Sequence, residues 1–404
     1  MEEQEKQAEN LVQGAFEKNS ENSDLNAINP NKAIEENSKT VKNPFKKLKN
    51  KWKKLSKRGK IITVVVAILV LAGIFAGIYF LTKGNDGAEV VEQQPESTTV
   101  ASVVTGAQVQ PKINEQHTTG VMIENSPDAR PQSGLQQADI VYEAIAEGGI
   151  TRFLVLYHDE QTEKIGPIRS ARPYYLDWIR PWDASYAHVG GSPEALKKIK
   201  SLGIQDLDQF FNSGSYYKAD DRFAPHNVYS STESLDKLEK DKGYKKSEGT
   251  GFSRAETDAT VGDITAQTIS MNISSANYNS AWTFQKGSNT YKRDMAGSKH
   301  VDAKTAKQLE YKVVIALVMD KGIDSDGQHT TYDSIGNGTA FIYQSGTVIK
   351  GTWTKASEKD QFKFTNAAGE TITLNPGKTW ITIADSASQI SHKAAPKPKV
   401  ETTN

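Results

Sequence analysis

Ile61 to Thr82 reads IITVVVAILVLAGIFAGIYFLT, 22 consecutive residues without a charge. Nothing else in the chain constrains its architecture as strongly. As a helix rising about 1.5 Å per residue, such a run covers a hydrocarbon core of roughly 30 Å. A buried core helix is the bland alternative, but a fully apolar stretch of this length sits poorly in so polar a chain. A cleaved signal peptide would have a shorter apolar region with small residues behind it. Here Leu81-Thr82-Lys83 follows, and a long leader precedes. The expectation is an uncleaved transmembrane anchor.

The flanks orient it. Residues 1–60 hold 14 Lys/Arg against 9 Asp/Glu, and the remainder 35 against 40, so the neutral total of 49 and 49 conceals a local basic excess. Between Asn43 and Lys60 nine basic residues occur with no acid. The positive-inside rule then places 1–60 in the cytoplasm and everything after residue 82 outside the cell membrane. With Phe45, Leu48, Trp52 and Leu55 interleaved, the basic run suits anionic lipid, and its position beside the span favours that over nucleic acid. Zero cysteine excludes disulfides, thiolate chemistry and a lipid-bearing cysteine.

Composition divides the chain further. Residues 1–42 are rich in Glu, Asn, Lys and Gln and read as a disordered leader. Residues 83–112 read as an extended extracytoplasmic linker, and 386–404 as a disordered tail. Between them lie an expected N-terminal α+β domain, 113–258, and a β-rich C-terminal domain, 259–385. Ala138–Glu147, Gly148-Gly149 and Ile150–His158 form a hairpin pattern. Simple closure pairs Ile145 with Arg152 and Glu143 with Leu154. Ile140, Tyr142, Ala144, Phe153, Val155 and Tyr157 then share the core face, with the opposite face charged and Arg152 bridging Glu143 and Glu147. Pro173 opens one helix. Ser192-Pro193-Glu194 caps another that Gly203 stops, and Ser230-Ser231-Thr232-Glu233, a capping-box match, begins a third. From about Val261, short β-rich runs alternate with turns, as in an antiparallel half.

Candidate chemistry concentrates in loops of the first half. Arg130, Arg169 and Arg172 suit bidentate recognition of a carboxylate or phosphate. Gly190-Gly191 ahead of a helix offers backbone N–H groups to an anion. His188, His226 and Asn227 lie in similar polar loops, and these eight residues form the candidate ligand-binding set. Arginines that only order loops are the competing reading. The seven histidines show no metal-binding spacing; a site assembled from distant residues, such as Asp139 with His158, stays open. Ser192 near His188 is explained by capping, and no G-x-S-x-G elbow exists. No cofactor motif is present.

The stretches VMIENSPDARPQSGLQQADIVYEAIAEGGITRF, KIGPIRSARPYYLDW, HVGGSPEAL and FAPHNVYSS resemble the YerB family of bacterial envelope proteins, a domain of unknown function. GTAFIYQSGTVIKGTWTK and LNPGKTWITI resemble its C-terminal part. The resemblance spans about 113–385. It implies a two-part extracytoplasmic domain and carries no catalytic residues across. Members are often lipoproteins, so a helix anchor without a lipid-bearing cysteine is a departure.

The expected protein is thus single-pass and α+β: one transmembrane helix, a mixed α/β domain, then a mostly antiparallel β domain. Its partners are the bilayer, through 61–82, and a wall polymer or envelope protein. Two functions compete. One is a binding or scaffold module for an anionic wall ligand or protein partner. The other is a wall-active hydrolase or transferase using Asp139 or Glu143 with His188.

Overall fold

The computed structural model describes residues 56–82, 98–324 and 327–396. The leader, most of the basic segment and residues 83–97 lie outside it. Two compact units result, 1–94 and 95–404.

In the first, α1 (Lys57–Thr82) contains the whole uncharged stretch. Among the described residues no helix is long and apolar enough to cross a membrane. The side chains of α1 beyond Gly73 fall outside that description, so a spanning role rests on the sequence.

In the second unit the chain runs β1 (Val100–Ala101), β2 (Gln108–Val109), β3 (Thr119–Glu124), β4 (Ile140–Glu147), β5 (Ile150–Tyr157), α2 (Pro173–Ile179), β6 (Ser185–Ala187), α3 (Pro193–Leu202), β7 (Tyr217–Lys218), β8 (Val228–Tyr229) and α4 (Thr232–Asp241). It continues through β9 (Thr268–Met271), β10 (Ser280–Gln285), β11 (Thr290–Met295), β12 (Ser298–Lys299), β13 (Glu310–Tyr311), β14 (Val313–Val318), β15 (Lys321–Ile323) and β16 (Thr330–Tyr332). The last strands are β17 (Gly336–Gln344), β18 (Thr347–Lys355), β19 (Lys363–Thr365), β20 (Thr379–Ala384) and β21 (Ile390–Lys393).

Nine strands form one sheet in the order β19-β18-β17-β14-β20-β4-β5-β3-β6. The two sequence halves are therefore not two packed bodies: β20 lies beside β4, parallel to it, and to β14 on its other side. Within the second half every strand pairing among the described residues is antiparallel except that of β14 with β20, so the mostly antiparallel expectation holds with one parallel pair at its centre. A second sheet runs β12-β11-β10-β9-β21, with β13 against β11.

Both faces of the large sheet are covered. Ile140, Tyr142, Leu154, Ile315 and Ile381 pack beneath α2 and α3 through Tyr175, Trp178 and Ile199. Val141, Phe153, Val155, Val314 and Trp380 pack against Ile269, Trp282 and Tyr291 of the second sheet and Leu235 of α4. Burial on both sides explains why β4 and β5 are apolar nearly throughout.

The hairpin forms as expected at its turn, with Glu147 opposite Ile150. A β-bulge between Ile145 and Glu147 then shifts the register. Ile145 faces Thr151, Glu143 faces Phe153 and Tyr142 faces Leu154. One extra residue moves every partner to the other face. Phe153, Val155 and Tyr157 thus share a side with Glu143, not with Tyr142, and the expected charged face is buried.

The helix signals hold. The Ser192 hydroxyl accepts from Ala195 N–H, Pro193 is first in α3, and Gly203 caps it at φ 63°. Ser231 caps α4. Two extended segments do more than composition suggested. The expected linker enters the fold at β1 and β2, where Ser102 (2.6 Å) and Thr105 donate hydroxyls to the two oxygens of Asp159. The expected disordered tail supplies β21, which pairs with β9.

Candidate functional site

The polar loops sit on a buried ring of hydrogen bonds. From β4, Glu143 accepts from Arg293 Nη2 (2.7 Å), Trp380 Nε1 (3.1 Å) and Thr151 Oγ1 (3.4 Å). Arg293 Nη1 donates to His300 Nδ1 (2.7 Å), so His300 donates from Nε2 to Gln132 Oε1 (2.9 Å). Gln132 Nε2 donates to Asn125 Oδ1 (2.8 Å), and Asn125 Nδ2 to Thr151 Oγ1 (2.6 Å), which closes the ring. Burial, then the Arg293 and Arg130 cations, hold His300 well below the usual imidazole range, in accord with its neutral tautomer. Arg293 also lies 4.3 Å from the Trp380 ring centroid. Arg293 and Glu143 are sealed from water, with side chains 0 % and 1 % exposed. The ring is therefore a fastening between the two sequence halves that fixes the 125–134 loop.

Above it, Glu124 at the end of β3 gathers three loops. Its Oε1 accepts from Ser126 Oγ (2.9 Å), and its Oε2 from His226 Nδ1 (2.9 Å). Arg169 Nε stands 3.2 Å from the same Oε2 as an ion pair. The loop bearing His226 is tied down by Arg222, which donates to Asp128 O (3.0 Å) and Pro131 O (2.7 Å), and is closed by Ala219 N–H to Asn227 O (2.8 Å). Ser126 bonds the carboxylate rather than the imidazole. A nucleophile needs the reverse order, serine to histidine to acid. What the arrangement offers is an arginine fork and an imidazole nitrogen, Nε2, both partly exposed and aimed by one carboxylate.

The other expected site residues go elsewhere. Arg130 donates to Asn125 Oδ1 (3.1 Å) and Asn125 O (2.8 Å) beneath this surface, and faces the Tyr278 ring. Arg172 donates from Nε to Glu147 Oε2 (3.0 Å), and Arg152 binds the other oxygen. Burial alone would raise the Glu147 carboxyl, but the two arginines hold it below its usual value. Arg152 thus pairs with Glu147 only; Glu143 belongs to Arg293. Glu147 borders an open cleft of about 630 Å³ lined also by Gly149, Ser274 and Lys321.

His188 is fully buried, between Gly190 O (2.7 Å) and Asp206 Oδ1 (3.0 Å). The imidazole overrides burial and keeps the Asp206 carboxyl low. The expected anion cradle at Gly190-Gly191 is filled by the chain itself. Gly190 N–H donates to Asp208 Oδ1 (2.9 Å), and Gly191 packs on Ala171. Asp139 meets His158 through the latter's backbone N–H (2.6 Å), not its ring. Among the described residues no three His, Asp or Glu side chains cluster as metal ligands.

The sequence reading overlooked Glu124, whose position at a strand end before a polar turn was the available signal. It also passed over Phe210, Phe211 and Phe223, which are 68, 83 and 90 % exposed in a polar segment.

A two-part α+β domain whose halves share one sheet is the class these features define. Residues 104–245 match the N-terminal domain, and 269–381 the C-terminal domain, of a protein of unknown function, DUF3048. The chain is 31 % identical over 289 residues to a protein of Bacillus subtilis (strain 168) named Putative lipoprotein YerB, across 69 % of this chain and 85 % of that one. It is also similar to the crystal structure of YerB from Bacillus subtilis, with TM-score 0.66 and 29 % identity over 72 % of this chain and 99 % of the other. The chain belongs to the YerB-like family.

Proposed function

We propose that this protein is anchored in the cell membrane by α1, with residues 1–60 inside, and that residues 95–404 outside bind an anionic ligand at the Glu124–Arg169–His226 surface. The ligand is a wall polymer or the acidic segment of an envelope protein. Three facts support the anchoring: the uncharged run of α1, the basic residues on its N-terminal side, and the relative's name as a putative lipoprotein. The present chain has no cysteine to carry lipid, so α1 takes the lipid's place.

The observation that carries the binding reading is the shared carboxylate. Glu124 holds Arg169 through Nε and His226 through Nδ1. The fork's terminal nitrogens and the imidazole Nε2 are left to an incoming anion, which both can meet with charge-assisted hydrogen bonds. The hydrolase alternative assigned Asp139 or Glu143 with His188. All three are buried and belong to separate networks, so nothing in the geometry favours it.

The test is binding of the full chain to wall fragments and envelope extracts. Arg169→Ala and His226→Ala should each weaken retention roughly tenfold, as expected for a lost charged hydrogen bond, while Arg172→Lys should not. Retention equal to the parent in both alanine variants refutes the reading.

A further inference from the structure

We propose that the ligand is a sugar bearing phosphate or carboxylate: rings of the 210–223 segment stack on the sugar while Arg169 and His226 take its charge. This deepens the reading above and rests on it. The exposed large aromatic residues of the folded unit, among the described residues, are Phe210, Phe211, Tyr217 and Phe223. Scattered exposed apolar residues need no explanation, but four rings within fourteen positions mark an interaction surface.

Two of these rings are held as platforms. Phe210 lies so close to Gly190 that a Cβ there would meet its Cε2 at 2.6 Å, so one edge of the ring rests at this glycine while the ring stays exposed. Tyr217 stacks on Tyr229, centroids 6.0 Å apart and 27° between planes, with its other side open. Phe223 stands at the tip of the loop, its carbonyl accepting from His226 N–H (2.8 Å). The platforms adjoin the anion site by short chain links. Gly190 follows Val189, whose N–H donates to Arg169 O (3.0 Å), and Phe223 shares a turn with His226.

The flanking chemistry selects a sugar. Isolated rings with one open face suit the C–H faces of pyranose units. Gln209 and Asp220 neighbour these rings in sequence and add amide and carboxylate groups suited to hydroxyls, while Asp221 pairs with Lys164 (3.9 Å). An acidic peptide would meet the cations but leave the rings without partners.

Full chain in detergent micelles is mixed with purified bacterial wall, untreated or stripped of phosphate-linked polymers with hydrofluoric acid. Muramyl peptides serve as soluble competitor. The parent should sediment with wall. Phe210→Ala and Phe223→Ala should each weaken retention roughly three- to tenfold, with unchanged melting because both rings are exposed. Loss of retention on stripping assigns the phosphate-bearing source; persistence with muramyl-peptide competition assigns the carboxylate-bearing one. If the double Phe210→Ala/Phe223→Ala variant binds as the parent while Arg169→Ala does not, the sugar inference fails and the anion reading stands. If neither set matters, both fail. Retention abolished by protease treatment of the wall, and by nothing else, identifies a protein partner and overturns the sugar.

Discussion

Replacing Arg293 by methionine should destabilise the folded unit by about 3–5 kcal/mol, the cost of stripping one partner from a buried ion pair. The structure shows where that cost arises. Glu143 would stay sealed with only Trp380 Nε1 and the long Thr151 contact as donors. His300 Nδ1 would lose its donor, and the contact of the guanidinium with Trp380 at 4.3 Å would vanish. The charge left behind is the main term, so the double variant Arg293→Met/Glu143→Leu should be more stable than Arg293→Met alone. Its residual cost should come from two groups left unpaired, His300 Nδ1 and the Trp380 Nε1–H, at about 1–3 kcal/mol each. Urea unfolding followed by tryptophan emission reads this directly, since Trp178, Trp182, Trp282, Trp353 and Trp380 are all buried. A single variant costing under about 1 kcal/mol, or a double costing the sum of the singles, refutes charge pairing as the reason this ring exists.

Three further outcomes follow from the same geometry. Burial raises the Glu239 carboxyl to about 7, despite hydrogen bonds from Ser185 and Thr119 that pull it down. The folded state then binds more protons than the unfolded between about pH 4.5 and 7, so this group's contribution falls as pH rises through that window. Glu239→Gln, which keeps the oxygen that accepts both hydroxyls, should stabilise the protein at pH 8 and do little at pH 4, by thermal melting. Glu147 is the opposite case: its folded pKa is depressed, so its stabilisation is present above the unfolded value near 4.5 and lost as pH falls through the folded one. Glu147→Gln should flatten that acid limb in melts between pH 3 and 6. Asp159→Ala removes the acceptor of both Ser102 and Thr105 and should expose residues 100–109 to limited proteolysis; an unchanged digestion pattern shows that other contacts hold this strap.

Much of the fold was readable one segment at a time. The Gly148-Gly149 turn, the Ser192–Pro193 start and Gly203 stop of α3, the Ser231 cap and most strands of the second half lie where their residues point. The register of the hairpin did not follow, because a bulge between Ile145 and Glu147 depends on what the strand packs against and not on its turn. The linker and tail were misjudged for a related reason. Ser102, Thr105 and Ile390 look unremarkable in composition, and their long-range partners, Asp159, Gly377 and β9, lie far away in sequence.

The candidate site divides along the same line. Arginine, histidine and glycine in polar loops were visible as raw material, and Arg169 and His226 do share a surface. Which acid each arginine or histidine would meet was not visible. Caps, turns and an uncharged run act within a few residues, so a single chain displays them. Glu124 finds His226 across 102 positions and Glu143 finds Arg293 across 150. The second pairing is set where β20 inserts beside β4 and the second sheet packs on its far face; the first is set where the 219–227 loop is tied by Arg222 over the end of β3. Desolvation there makes an unpaired charge intolerable, and so decides which cations are fastened inside and which remain for a ligand.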